Sequence, residues 1–159
     1  IRVIRPSEAG ILIGSSSGSG LIATALSKPH DLAKAISIEG HEGGLYAAEF
    51  LPQKAVWLTG GRDGHIRVWS TKGKALLATP AHEAAIYRMV VHGNLLYTAS
   101  RDKTVKSWNV GDLSFVSKWS HKNGGAKRSV NALTLGGTKQ DWLLSAGDDR
   151  MIRILPIKA

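Results

Sequence analysis

The sequence predicts an all-β fold built from one four-stranded unit used about four times. Three observations carry this reading. The stretch GGRDGHIRVWS, Gly60 to Ser70, returns as ASRDKTVKSWN at Ala99 to Asn109, as AGDDRMIRILP at Ala146 to Pro156, and in worn form as SSGSGLIATAL at Ser16 to Leu26. Its marker Asp63 aligns with Ser19, Asp102 and Asp149, so the separations are 44, 39 and 47 residues, close to the roughly 40–45 of a four-stranded propeller blade. Every copy joins an apolar, β-branched run through a turn at Asp or Gly to a second, alternating run, the signature of a β-hairpin. Helical periodicity is nearly absent: no stretch keeps a 3.6-residue apolar stripe through a dozen residues. The best helical candidate, His30 to Ile36, is opposed by the register of the repeat.

The strands then follow in chain order. Blade 1, about residues 1–39, takes Ile1 to Ile4 as inner strand, Arg5 to Gly10 as turn, Ile11 to Ile13 as second strand, Leu21 to Leu26 as third and Ala33 to Ile38 as outer. Its Ser15 to Gly20 run has the composition of a phosphate cradle, but it lacks the Lys-Ser/Thr ending and the following helix. It reads instead as a hairpin turn that lost its Asp. Blade 2, about 40–80, takes Leu45 to Phe50, a turn at Leu51 to Lys54, Ala55 to Thr59, His65 to Ser70 and Lys74 to Ala78. Blade 3, about 81–120, takes Ile86 to Val91, a turn at His92-Gly93-Asn94, Leu95 to Ala99, Thr104 to Val110 and Phe115 to Trp119. Blade 4, about 121–159, takes Val130 to Leu135, Trp142 to Ala146 and Met151 to Leu155.

These residues resemble the WD-repeat β-propellers. In that family a blade ends its third strand in Trp-Asp and the next begins at Gly-His; here Trp69-Ser70 and Trp108-Asn109 hold the first position, and Gly40-His41, Ala81-His82 and Ser120-His121 the second. Blades 1 and 4 have Ala25-Leu26 and Leu155-Pro156 where Trp-Asp would stand. The resemblance covers essentially the whole chain as a single propeller segment of about fifteen strands. It also implies a hydrogen-bonded tetrad in a blade: His41, Thr59, Asp63 and Trp69 in blade 2, His82, Thr98, Asp102 and Trp108 in blade 3, and in blade 4 a shortened set of His121, Ser145 and Asp149.

Composition narrows the function. With 43% hydrophobic and 21% charged residues the chain is no disordered segment, and 159 residues suit one domain with a real core. There is no cysteine, which excludes disulfides and thiolate metal sites and fits a reducing, cytoplasmic setting. No apolar run approaches the 18 or so residues of a membrane span. The six His are scattered without metal-ligand spacing, so no metal and no cofactor is expected. His, hydroxyl and Asp are the parts of a hydrolase triad, yet a catalytic set is needed once; its recurrence in successive blades points to scaffolding, and no enzyme is expected.

What remains is a surface. The resemblance places the residue that begins each inner strand, Arg2, Tyr46, Tyr87 and Asn131, and the residue before each turn marker, Gly18, Arg62, Arg101 and Asp148, on one loop face. Tyr and Arg are the types in which binding energy concentrates. The expected function is a non-catalytic scaffold for a protein or peptide, acidic or phosphorylated because of Arg62, Arg101 and Lys127-Arg128; the alternative is nucleic-acid association through a formal net charge of +9. Blade 4 has only three strands ahead of Pro156, and four blades lie at the low end of the roughly 4–8 of closed propellers. The expectation is half of a larger ring, completed by a second chain or a second copy.

Overall fold

The computed structural model describes residues 1–24 and 34–157. Four antiparallel sheets follow one another along the chain, each a meander whose spatial order is its sequence order. The first holds β1 (Val3–Ser7), β2 (Gly10–Gly14), β3 (Gly20–Ala23) and β4 (Ile36–Ile38). The second holds β5 (Leu45–Leu51), β6 (Val56–Gly61), β7 (His65–Ser70) and β8 (Ala75–Pro80). The third holds β9 (Ile86–His92), β10 (Leu95–Ser100), β11 (Val105–Asn109) and β12 (Phe115–Trp119). The fourth has β13 (Val130–Gly136), β14 (Trp142–Gly147) and β15 (Ile152–Pro156). The chain divides into two compact units, Ile1–Ala81 with blades 1 and 2 and His82–Ala159 with blades 3 and 4.

Blades 2 and 3 have their strands where the apolar alternation sets them. Blade 1 differs: Arg5 and Pro6 continue β1 and do not turn, with Pro6 opposite Ile11. Proline has no N–H to give, and it is tolerated because β1 is an edge strand whose second side bonds nothing in this sheet. The turn comes later, where the Ser7 hydroxyl accepts the Ala9 N–H at 3.1 Å, a local bond that reverses the chain. The final residues of the expected third strand, including Ala25-Leu26, most of the His30 to Ile36 stretch, and Lys158-Ala159 lie outside the described residues.

Each unit has its own core. In the first, Leu12, Ile22 and Ile38 of blade 1 pack with Leu45, Ala48, Trp57 and Trp69 of blade 2. In the second, Tyr97, Val105 and Trp119 of blade 3 pack with Val130, Leu133, Leu143 and Leu155 of blade 4. Aromatic rings fill both seams, Phe50 lying 5.0 Å from Trp57 and Tyr97 6.1 Å from Trp119 between centroids. Burying each large apolar side chain contributes about 1.5–3 kcal/mol. Among the described residues only Trp57 Nε1 and the Tyr97 hydroxyl are buried side-chain polar atoms without a hydrogen-bond partner. No helix of the described residues is long and apolar enough to cross a membrane.

One turn tolerates a single residue type. Gly18, before the marker Ser19, has φ +99°, and a Cβ there would lie 1.8 Å from the His41 carbonyl oxygen. Gly93, in the β9–β10 turn at φ +55°, has open space around it. Gly18→Ala therefore adds a backbone collision to the left-handed strain and should cost at least about 3 kcal/mol, against about 1 kcal/mol for Gly93→Ala. Urea denaturation of the two variants checks this; equal midpoints would contradict it.

Candidate partner-binding site

The side chains that hold each blade's β2–β3-type turn come first, because they fix the loops beside it. In blade 2, Trp69 Nε1 donates to Thr59 Oγ1 at 2.8 Å, and Thr59 Oγ1 lies 2.8 Å from His41 Nε2. His41 Nδ1 lies 3.0 Å from Asp63 Oδ1. The donors settle the directions: the indole gives to the hydroxyl oxygen, the hydroxyl proton goes to Nε2, and Nδ1–H goes to the carboxylate. Blade 3 repeats the series with Trp108 to Thr98 at 2.9 Å, Thr98 to His82 at 2.7 Å and His82 to Asp102 at 2.8 Å.

Arginine was the participant that sequence reasoning missed. Arg67 Nη1 donates to Asp63 Oδ2 at 2.6 Å, and in blade 4 Arg153 Nη2 reaches Asp149 Oδ2 at 2.8 Å. Arg67 and Arg153 each stand four residues after their Asp, a spacing that could have revealed the pair. Blade 3 has Lys106 at that position and uses Thr104 instead, whose hydroxyl donates to Asp102 Oδ1 at 2.5 Å.

Blade 4 departs from its expected set. His121 is exposed on a short 3-10 turn, His121–Asn123, and does not reach Asp149. Asp149 instead accepts the Lys127 N–H at 2.9 Å, the bond that Glu42 gives Asp63 and Glu83 gives Asp102, both at 3.3 Å. The position of His41 and His82 is thus taken by the buried Ala126. The inserted turn shifted the chain, and spacing was the missed signal: His41 and His82 precede their Asp by 22 and 20 residues, His121 by 28.

The charges follow from burial and these bonds. Burial lowers the pKa of His41 and His82 from 6.5, against the pull of their carboxylates, so both imidazoles are neutral at pH 7. Burial works to raise the Asp63 carboxyl, but hydrogen bonds from His41 and Arg67 outweigh it and hold it at about 2. Asp102 is likewise held below the usual carboxylate range by His82 and Thr104, and Asp149, bonded by Arg153, at about 2. Five groups with depressed values stand in one repeated arrangement that serves the turn.

The turn in its place positions the loop residues. In blades 2, 3 and 4 the residue before the marker gives its N–H to the chain just ahead of the inner strand: Arg62 to Gly44 at 2.8 Å, Arg101 to Ala85 at 2.9 Å and Asp148 to Ser129 at 3.0 Å. The adjacent inner-strand residue is squeezed out of the ladder. Pairing passes from Leu45 to Ala47, from Ile86 to Arg88 and from Val130 to Ala132, so Tyr46, Tyr87 and Asn131 are the extra residues of three β-bulges. A bulge re-aims a side chain. In the first unit Arg2 lies over the Tyr46 ring, 5.6 Å from its centroid, with Arg62 exposed nearby along Gly43. In the second, Tyr87 follows Ile86, the ladder partner of Ser100, Arg101 is exposed one residue after Ser100, and Asn131 donates to the Asp148 carboxylate. Gly18 offers no side chain. Among the described residues no group of three or more His, Asp or Glu could hold a metal ion.

Two outcomes follow for the hydrogen-bonded turns. Asp63→Ala strands the His41 imidazole and Arg67 and should lower stability by about 1–3 kcal/mol, read by urea denaturation; an unchanged midpoint contradicts the assignment. Folded-state pKa values below the unfolded ones mean stability that is full above the unfolded value and lost as pH falls. Thermal stability should therefore drop as pH falls below about 6.5, where His41 and His82 begin to be protonated in the unfolded chain, and again below about 4, where the aspartates follow. His41→Gln with His82→Gln should flatten the first fall; an unaltered slope would exclude these imidazoles as its cause.

Comparison with known proteins agrees with this geometry. The family model for the WD domain, G-beta repeat, matches residues 33–70 and 73–109, which include both complete hydrogen-bonded sets. Pre-mRNA-processing factor 19 of Bos taurus is 31% identical over 137 residues, 79% of this chain and 26% of that protein. The tRNA (34-2'-O)-methyltransferase regulator WDR6 of Pongo abelii is 25% identical over 161 residues, 92% of this chain and 14% of that one. The p21-activated protein kinase-interacting protein 1-like of Danio rerio is 38% identical over 73 residues, 44% of this chain and 20% of that protein. The chain thus spans about a quarter or less of the length of these relatives. The crystal structure of the computationally designed Ika4 protein superposes with a TM-score of 0.79 at 19% identity, over 98% of this chain and 89% of that one, a likeness of fold alone. With its sheets, its turn chemistry and its repeats all in agreement, the chain belongs to the WD-repeat β-propeller family.

Proposed function

We propose that the chain is a non-catalytic scaffold that binds an acidic or phosphorylated segment of a partner protein at the loop ends of its blades. WD-repeat relatives are in general protein-interaction scaffolds. The observation that carries the finer reading is the bulge that turns Tyr46, and again Tyr87, out of the ladder beside an exposed arginine. Tyrosine supplies rigid apolar area at small entropic cost, and a guanidinium pairs with carboxylate or phosphate through two hydrogen bonds. Exposed Lys127 and Arg128 at the loop end of the second unit add to the attraction for anions. Asn131 and Asp148 satisfy each other in blade 4, so the anion preference rests on blades 2 and 3. The His, Thr and Asp sets are consumed by the turns, which supports a non-enzymatic role. A second polypeptide, or a second copy, completing the blades belongs to the same reading.

The exposed basic loop at Lys122, Lys127 and Arg128, with the net charge of +9, favours nucleic acid as the second reading. An array of glutamate-rich and phosphoserine peptides, run beside single-stranded DNA, separates the two. Tyr46→Ala with Tyr87→Ala should weaken peptide capture by at least about 30-fold with an unchanged melting curve. DNA binding that dominates, and that collapses between about 50 and 200 mM salt, would favour the second reading; peptide capture unaffected by the double variant would overturn the first.

A further inference from the structure

The turn between the second and third strands is one device in all four blades, and the ladders show which of its residues are equivalent. The pairs Gly14–Gly20, Thr59–Arg67, Thr98–Lys106 and Ser145–Arg153 are centred on Ser17, Asp63, Asp102 and Asp149. Blade 1 therefore turns about Ser17, two residues before the Ser19 that the sequence repeat aligns. The residue after each centre, Gly18, Gly64, Lys103 and Arg150, has a positive φ, +99°, +72°, +72° and +60°. Glycine takes that conformation freely, whereas a residue with a Cβ is strained in it.

The two seams differ in the charge they present beside this turn. In the first unit the turn of blade 1 lies against the opening of blade 2, a Cβ on Gly18 falling 1.8 Å from the His41 carbonyl oxygen. Ser16 and Gly18 flank the turn centre there, and Glu42 and Gly43 follow His41. The same four positions of the second unit hold Arg101, Lys103, Lys127 and Arg128, all exposed. Hydrogen bonding sets the match of Glu42 with Lys127, since each gives its N–H to the turn carboxylate of its own blade. The cations rise from one core: Val105, two residues after Lys103, and Ala126, just before Lys127, belong to the same buried cluster as Val130. Among the described residues the exposed carboxylates of these turns and openings are Glu83 and Asp148, and Asp148 accepts the Asn131 amide. Net charge follows the same division, with 12 Lys and Arg against 6 Asp and Glu in His82–Ala159 and 9 against 6 in Ile1–Ala81.

We infer that Arg101, Lys103, Lys127 and Arg128, at the loop end of the seam between blades 3 and 4, form the phosphate site for a phosphoserine or phosphothreonine of the bound segment. The inference rests on the peptide reading above and names the side chains that take its phosphate. A phosphate monoester carries about −1.5 to −2 at pH 7 and three acceptor oxygens, a charge that suits several cations, where a glutamate needs one. A nucleic-acid backbone repeats its charge and is held by cations along a track; the equivalent seam of the first unit has none at these four positions, so the cluster is local. Lys103 adds an independent sign. It keeps a cation where blades 1 and 2 have glycine, in a backbone conformation that the turn itself does not require of a lysine, and strain of that kind collects at binding sites.

That strain also gives a clean test, because Lys103→Gly removes the charge and restores the residue that two other blades use. Titration of the chain with N-acetyl-O-phosphoserine amide, followed by amide NMR shifts, should move the Lys103 and Lys127 signals. N-acetylglutamate amide should bind at least about 5-fold more weakly. Lys103→Gly with Lys127→Gln should weaken phosphoserine amide binding by about 10-fold or more, while the urea midpoint stays at or above that of the parent. Lys139→Gln removes an exposed lysine from the β13–β14 turn, at the other end of blade 4, and should leave binding unchanged. Unaltered binding by the double variant, an equal loss in Lys139→Gln, or equal affinity for the glutamate amide overturns the site. So do Lys103 and Lys127 signals that move with oligodeoxythymidine and not with phosphoserine amide, an outcome that assigns the cluster to nucleic acid. The peptide reading fails separately: phosphoserine amide binding without peptide capture defeats that reading and leaves this site, and phosphopeptide capture that survives the double variant defeats this site and leaves that reading.

Discussion

The bonds running from the turn aspartate through histidine and threonine to the tryptophan indole are what the rest of each complete blade depends on. An indole N–H, a hydroxyl and an imidazole buried in an apolar sheet would each cost about 1–3 kcal/mol if left without a partner. Arranged in series they satisfy one another, with the one charged member, Asp63 or Asp102, at the turn. The chain of bonds ties the third strand, the second strand and the start of the blade to a single hairpin turn. Once the turn is fixed, so is the carbonyl that receives the N–H of Arg62 or Arg101, and the inner strand must eject one residue to stay in register. The bulged tyrosines are therefore a consequence of how the blade closes.

Scaffold and surface are thereby made from neighbouring residues of the same turn. Asp63 holds the core network on its inner side, and Arg62, one residue earlier, faces solvent. The alternating pleat of β-strands gives the same division in the sheets, where one face of blade 1 buries Leu12 and Ile22 while the other presents Ile4 and Leu21. Covering apolar sheet faces is what the cores of the two units do, Leu12 and Ile22 meeting Leu45 and Ala48 in one and Val105 meeting Val130 and Leu133 in the other.

Much of this was legible in the sequence, because strand periodicity and turn residues are local signals. Blades 2 and 3 have nearly the strands that alternation predicts, and their His, Thr, Asp and Trp lie within hydrogen-bonding distance in the order that the family resemblance implies. What escaped depends on through-space geometry. Pro6 reads as a turn residue until β1 is known to be an edge. His121 reads as a blade opening until the 3-10 turn beside it displaces the chain and puts Ala126 in its place. Arg67 enters the sequence reading only within the strand His65 to Ser70, and its bond to Asp63 shows only in the folded chain. Bulges leave no mark in composition, so the register shifts at Tyr46 and Tyr87 were not legible in the sequence.

The aspartate-to-tryptophan chain of bonds should behave as a closed unit that opens only when its blade unfolds. Hydrogen exchange of the Trp69 and Trp108 indole N–H groups, followed by NMR in increasing sub-denaturing urea, tests it most directly. Both indoles should exchange only through global unfolding, with rates that rise with urea along the slope of the full unfolding transition. Exchange near the rate of a free indole, or a rate independent of urea, would mean that these hydrogen bonds open locally and that the blades are held by something else.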